Sequence, residues 1–121
     1  MFSLNDSLRY WLWSEPTDMR KSFYSLSGLV RTRMGMNPLD GSVYCFINAR
    51  RDRIKLLHME SGGMVLYSKV LEKGTLHVPD HLSGTGCKSM EWRELVLMIE
   101  GIIANPNKCY KRVRRVAPVS V

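Results

Sequence analysis

VYCFINARRDRIKLLHMESGGMVLYSKVLEKG, running from Val43 to Gly74, decides how this 121-residue chain is expected to fold. It reads as three short strands separated by two turns, with a knot of cations at the first turn. If Asn48 pairs with Arg53 across a four-residue loop, Val43, Cys45 and Ile47 share one sheet face with Ile54, Leu56 and His58, because successive strand residues alternate faces. That face is the expected core. The opposite face then carries Tyr44, Phe46, Lys55 and Leu57, an aromatic and basic mixture expected to be half exposed or covered by a partner. Ser61-Gly62-Gly63 supplies the second turn, Met64 to Leu71 the third strand, and Leu76 to Val78 a short fourth after the turn at Glu72-Lys73-Gly74-Thr75.

Upstream, LRYWLW (Leu8 to Trp13) has the aromatic weight of a strand and stops at Glu15-Pro16. Thr17 then reads as a helix N-cap with Asp18 in the first turn. Met19, Phe23, Leu26, Val30 and Met34 recur at helical spacing and predict a helix from about Asp18 to Met34, stopping near Gly35. Downstream, His81 to Lys88 is polar and Gly-rich and reads as a loop. Trp92, Leu95, Val96, Ile99, Ile102 and Ile103 predict a second amphipathic helix that ends before Asn105-Pro106. The expected fold class is α+β: a small antiparallel sheet of three to five strands, a β-hairpin meander, packed against two amphipathic helices that cover one of its faces. The expected organisation is one domain over residues 1–105 and a basic, flexible tail over 106–121.

Charge narrows the function. Arg50, Arg51, Arg53 and Lys55 fall within six residues and are opposed only by Asp52, and a second cluster, Lys108, Lys111, Arg112, Arg114 and Arg115, lies in the last fourteen residues, which hold no acid. The remaining 107 residues carry 13 basic and 11 acidic side chains, so the net charge of +7 is concentrated in the tail, and the hairpin is the other place where cations gather. Like charges crowded at a turn call for an anionic partner, and nucleic acid is the commonest large polyanion in a cell. The alternative is a solvated turn, or cations that pair with acids on the second helix. Arg20 and Lys21 fall in the predicted first helical turn, where cations oppose the dipole; that placement hints at a role, although Arg20 can equally pair with Asp18 or Glu15. Lys69 on the third strand extends the basic surface. Trp11, Trp13 and Trp92 fall in apolar patterns and read as core.

Other chemistries lack their residues. Cys45, Cys87 and Cys109, with His58, His77 and His81, have none of the spacings of a zinc site, so neither a metal nor a cofactor is expected. G-x-S-x-G does not occur, and Gly84-Thr85-Gly86 before Lys88 lacks the spacing of a phosphate-binding loop. Glu15, Asp18, Asp40, Asp52, Glu60 and Glu72 are explained as cap and turn residues, so a converging carboxylate cluster for two-metal chemistry is not assembled. An apolar run of about 20 residues and a signal-peptide pattern are both missing, which leads to an expectation of a cytoplasmic protein without membrane contact.

Three runs, PTDMRKSFYSLSGLV (Pro16 to Val30), the Val43–Gly74 stretch and ELVLMIEGI (Glu94 to Ile102), together resemble the TnpB accessory proteins encoded by the second open reading frame of bacterial insertion sequences of family 66. These are unrelated to the RNA-guided nuclease that shares the name. The resemblance extends from Leu8 to about Ile103. The chain departs from it at Ser22, where Gly is usual, at Met59-Glu60, where Trp-Asp is common, and at Ser68-Lys69-Val70, where an aromatic precedes Lys-Arg; this last change removes one cation. The resemblance implies a non-catalytic role in transposition, assisting a separate transposase of the same element. Two ways of assisting follow. In one, the protein binds DNA, at element ends or target and with low sequence preference, through Arg50, Arg51, Arg53, Lys55, Lys69, Arg20 and Lys21 and the tail residues Lys111, Arg112, Arg114 and Arg115. In the other it is an adaptor that docks on the transposase through Tyr44 and Phe46. Whether copies associate into a homo-oligomer is left open by the sequence.

Overall fold

The computed structural model describes residues 4–100. Within them the chain forms a five-stranded sheet in the order β4-β3-β2-β1-β5, from β1 (Tyr10–Trp13), β2 (Val43–Ile47), β3 (Arg53–Glu60), β4 (Gly63–Val70) and β5 (Cys87–Met90). Helix α1 (Phe23–Thr32) connects β1 to β2, a single 3-10 turn occupies Asp80–Leu82, and α2 (Trp92–Glu100) follows β5. The expected basic tail, including Lys111, Arg112, Arg114 and Arg115, lies outside the described residues.

The hairpin forms in the register expected from the sequence. Val43 faces His58, Cys45 faces Leu56 and Ile47 faces Ile54, and the Asn48 amide donates to the Arg53 carbonyl at 3.4 Å. Two residues, Ser61 and Gly62, turn β3 into β4, with Glu60 opposite Gly63 and Gly62 at φ 88°, a conformation that glycine takes at little steric cost.

The sheet is mixed, and this corrects the purely antiparallel meander. β1 and β2 are parallel, with Tyr10 facing Val43 and Trp13 facing Phe46, because α1 is the crossover that returns the chain to the same end of the sheet. β5 runs antiparallel to β1, pairing Tyr10 with Met90 and Trp13 with Cys87. Its first two residues fall in the His81–Lys88 stretch expected to be loop: CKSM offers no apolar alternation, and its strand geometry comes from pairing with β1. Leu76 to Val78, expected to be a strand, joins no ladder. Its side chains enter the core, and the Leu76 amide is tied to the Arg51 carbonyl at 2.6 Å.

The helices cover opposite faces, which is the second correction. On one face α2 packs Leu95, Met98 and Ile99 against Tyr10, Leu12, Val43, Cys45, Ile47, Ile54 and Leu56, with Leu76, Val78 and Leu82 completing the layer. On the other, α1 packs Leu26 and Val30 against Trp13, Tyr44, Phe46 and Leu57. Strand β2 is therefore buried along its whole length, as its unbroken apolar run VYCFI allows. Tyr44 and Phe46 are 0% exposed, so the face assigned to a partner is filled by the chain's own helix. The Tyr44 hydroxyl lies 2.9 Å from Asp40 Oδ1 and 3.0 Å from the Asn37 carbonyl; burial, and then the Asp40 carboxylate, raise its pKa above the ordinary tyrosine value. Trp13 is buried, and Trp11 and Trp92 pack half-buried against the two cores, as their apolar patterns indicate.

Helix α1 begins later than expected. Ser22, not Thr17, is its N-cap, and the Ser22 amide is satisfied by Ser25 Oγ at 3.0 Å. Thr17 is held by its amide to the Ile47 carbonyl at 2.8 Å, while Asp18 Oδ1 accepts the Arg20 amide at 2.9 Å and closes a local turn. Arg20 and Lys21 thus precede the helix and do not sit in its first turn. Its end is as expected: Gly35 has φ 67°, and the Met36 amide reaches back to the Val30 carbonyl at 3.0 Å.

Candidate nucleic-acid interface

Asn48 organises the cationic turn. Its Oδ1 accepts the amides of Asp52 at 3.1 Å and Arg53 at 3.0 Å, its Nδ2 donates to Asp52 Oδ1 at 2.7 Å, and its carbonyl accepts the Arg51 amide at 3.0 Å. An Asn at the mouth of a tight loop suits this role because its short amide reaches backbone groups a few residues on. Arg51 takes the left-handed conformation at φ 58°, uncommon for a residue with a side chain. The loop is pinned from behind as well, by the Leu71 amide on the Asp52 carbonyl and the Leu76 amide on Arg51.

This geometry holds the one acid within the turn out of an ion pair with its arginines. Asp52 hydrogen-bonds to Asn48, and among the described residues the salt bridges join Arg20 to Asp18, Arg33 to Glu15, His81 to Glu94 and Arg93 to Glu91. None involves Arg50, Arg51 or Arg53. Among the described residues no acid of α2 forms a salt bridge with these arginines: Glu94 pairs with His81, and Glu100 lies beside Ile54, Leu56 and Lys69 on the α2 face. Arg50 and Arg53 are exposed and Arg51 is half-exposed.

The loop before α1 forms a second wall. Pro16, Thr17, Asp18, Met19 and Arg20 face Asn48, Ala49, Arg50, Asp52 and Arg53 across a cleft of about 500 Å³. Arg20 therefore joins the hairpin arginines, as the basic-surface reading requires. It also carries a built-in restraint: its guanidinium clasps both oxygens of Asp18, at 2.7 Å in the shortest contact, with its side chain 91% exposed. Hydrogen bonds from Arg20 hold the Asp18 carboxyl down to about 2, so Asp18 is ionised and able to accept the clasp at neutral pH.

Two other expected cations are placed elsewhere. Lys55 is half-buried and donates through Nζ to the Lys21 carbonyl at 2.7 Å, tying β3 to the loop before α1. Its ammonium stabilises this junction. Lys69 lies opposite Ile54 and so projects on the α2 face, whereas Arg53 lies opposite Val70 on the α1 face. Lys21 is half-exposed at the edge of the cleft's second wall. Sequence reasoning named Asn48 as closing the loop and Asp18 as a possible partner of Arg20; the structure adds the Asn48 side-chain bonds to Asp52 and Arg53 and makes Asp18 the partner of Arg20.

Among the described residues no three His, Cys, Asp or Glu side chains gather into a metal-binding cluster, and no helix is long and apolar enough to cross a membrane. Cys45 is fully buried, which raises its thiol pKa well above the ordinary value.

Comparison with known proteins places the chain in a family. A model described as "IS66 Orf2 like protein" matches residues 8–108. Two proteins of Sinorhizobium fredii (strain NBRC 101917 / NGR234) are similar: uncharacterized protein y4jC is 28% identical over 102 residues, covering 84% of this chain and 86% of its own, and uncharacterized protein y4hO is 30% identical over 84 residues, covering 69% and 73%. No solved structure matches the chain significantly. The match spans both helices, the whole sheet and the cationic turn, and the chain belongs to the IS66 Orf2-like family, with an accessory role associated with transposition.

Proposed function

We propose that the protein assists transposition by binding DNA through the sugar–phosphate backbone at the cleft between the Asn48–Arg53 turn and the Pro16–Arg20 loop, while a separate transposase of the same element performs the chemistry. The observation that carries this reading is the commitment of Asp52 to Asn48, which leaves Arg50, Arg51 and Arg53 without an acidic partner among the described residues. Arginine forks on a rigid loop suit phosphate oxygens, and contacts of this kind position a protein on DNA without reading its sequence. The adaptor reading loses the surface assigned to it, since Tyr44 and Phe46 are buried under α1.

Amide chemical-shift mapping with a 20-base-pair duplex tests the site. Perturbations centred on Asn48–Arg53 and on the Pro16–Lys21 loop are expected. Perturbations confined to other surfaces, with these two loops silent, would refute it.

A further inference from the structure

Gly28 lies in the interior of α1 for no reason that the fold supplies. Its φ is not positive, and a Cβ built on it meets nothing within 4 Å. Only proline is less favourable than glycine inside a helix, so a half-buried mid-helix glycine whose added Cβ would meet no neighbour weakens α1 without a packing or conformational demand. At 100° per residue Gly28 falls opposite Leu26 and Val30, on the face turned away from the sheet. Tyr24 stands one turn before it on that face and Arg31 one turn after. Tyr24 is 94% exposed, and Arg31 is exposed and joins no salt bridge among the described residues.

The segment carrying this face has charges of one sign, with Asp18 and Glu15 outside it pairing with two of them. Between Asp18 and Asp40 the sequence holds Arg20, Lys21, Arg31 and Arg33 and no acid, and α1 has none in its first turn. Arg33 is occupied by Glu15 at 3.3 Å and by the Trp13 ring, but Arg31 is not. Arg20 and Lys21, at the basic cleft, lead directly into the helix.

We propose that the outer face of α1 is a second part of the DNA-binding surface, on which the sugar–phosphate backbone crosses the helix at Gly28 between Tyr24 and Arg31. This rests on the DNA-binding reading of the cleft and extends its footprint. Glycine lets a backbone approach a helix more closely than any residue with a side chain, the Tyr24 hydroxyl and the Arg31 guanidinium are both phosphate donors, and Lys21 and Arg31, which join no salt bridge among the described residues, favour nucleic acid over an apolar or basic protein surface.

The test uses the full chain, a 20-base-pair duplex and the variants Gly28→Ala, Gly28→Gln, Arg31→Ala and Arg50→Ala/Arg53→Ala. Gly28→Ala raises the melting temperature and weakens binding, a combination that a structural role for the glycine does not produce. Gly28→Gln weakens binding by about tenfold, the effect of forcing side-chain atoms into a packed contact. Arg31→Ala lowers the salt slope of log K by about one. A melting temperature that falls in Gly28→Ala overturns the proposal, because the glycine then serves the fold. Wild-type affinity in Gly28→Gln and Arg31→Ala, alongside weakened binding in the hairpin double variant, overturns it while leaving the cleft in place. Loss of transposase co-purification in Gly28→Gln with DNA binding intact overturns it in favour of a protein partner. Absence of duplex binding by the wild-type chain sinks both readings together.

Discussion

Replacing Asn48 with alanine probes the part of the structure on which the basic surface depends. The substitution deletes no charge, yet it removes two hydrogen bonds accepted by Oδ1 from the Asp52 and Arg53 amides and one donated to the Asp52 carboxylate. At about 1 kcal/mol net for each bond, reduced because the loop borders solvent, the expected loss of stability is about 2 kcal/mol. For a domain of this size that corresponds to a melting temperature lower by about 8 °C. DNA affinity falls as well, because the released Asp52 carboxylate can turn to the neighbouring arginines and neutralise part of the surface. Thermal or urea unfolding monitored by circular dichroism gives the first quantity, and fluorescence anisotropy with a labelled duplex gives the second. Wild-type stability together with wild-type affinity would show that Asn48 does not organise the turn.

Three other perturbations separate binding from architecture. Asp18→Asn releases the Arg20 clasp, so duplex affinity rises and the salt slope steepens by about one unit; because the Asp18 pKa is depressed to about 2, the clasp is complete above the ordinary carboxyl value of 3.8 and is lost as pH falls through about 2, which carbon-detected NMR titration of the carboxyl can follow. Lys55→Met breaks the bond to the Lys21 carbonyl and lowers stability by about 1.5 kcal/mol in chemical denaturation, while leaving the salt slope of DNA binding unchanged. Phe46→Ala opens a cavity beneath α1 and lowers stability by about 3–5 kcal/mol, where a residue on an exposed docking face would show a small change in the same experiment.

How much of this was legible in the sequence depends on whether the cause was local. The β2–β3 register followed from alternation and from Asn48 as a loop-closing residue, both within about fifteen positions, and it came out residue for residue. The stop signal for α1 at Gly35, just past its last residue Thr32, was equally local. Its start was not: Thr17 and Ser22 are both acceptable caps, and the choice is made by the Thr17 amide bonding to Ile47, about thirty residues away. β5 escaped for the same reason, since Cys87–Met90 has little strand character until β1 lies beside it. Tyr44 and Phe46 were assigned to the wrong environment because a hairpin alone specifies two faces but does not say how many helices will cover them; the continuous run VYCFI was the available clue to burial on both sides. At the site, a count of cations found the turn. Only tertiary contacts separate the exposed Arg50 and Arg53 from Lys55, which is spent on a backbone carbonyl, and from Lys69, which lies on the other face.

The most direct test of the central claim is duplex binding measured across a salt series for the wild-type chain and for Arg50→Ala/Arg51→Ala/Arg53→Ala. Each neutralised phosphate contributes about −0.9 to the slope of log K against log salt, so loss of the three arginines should flatten the slope by about 2.7. A triple variant that keeps the wild-type slope and affinity would contradict the assignment of the turn to DNA.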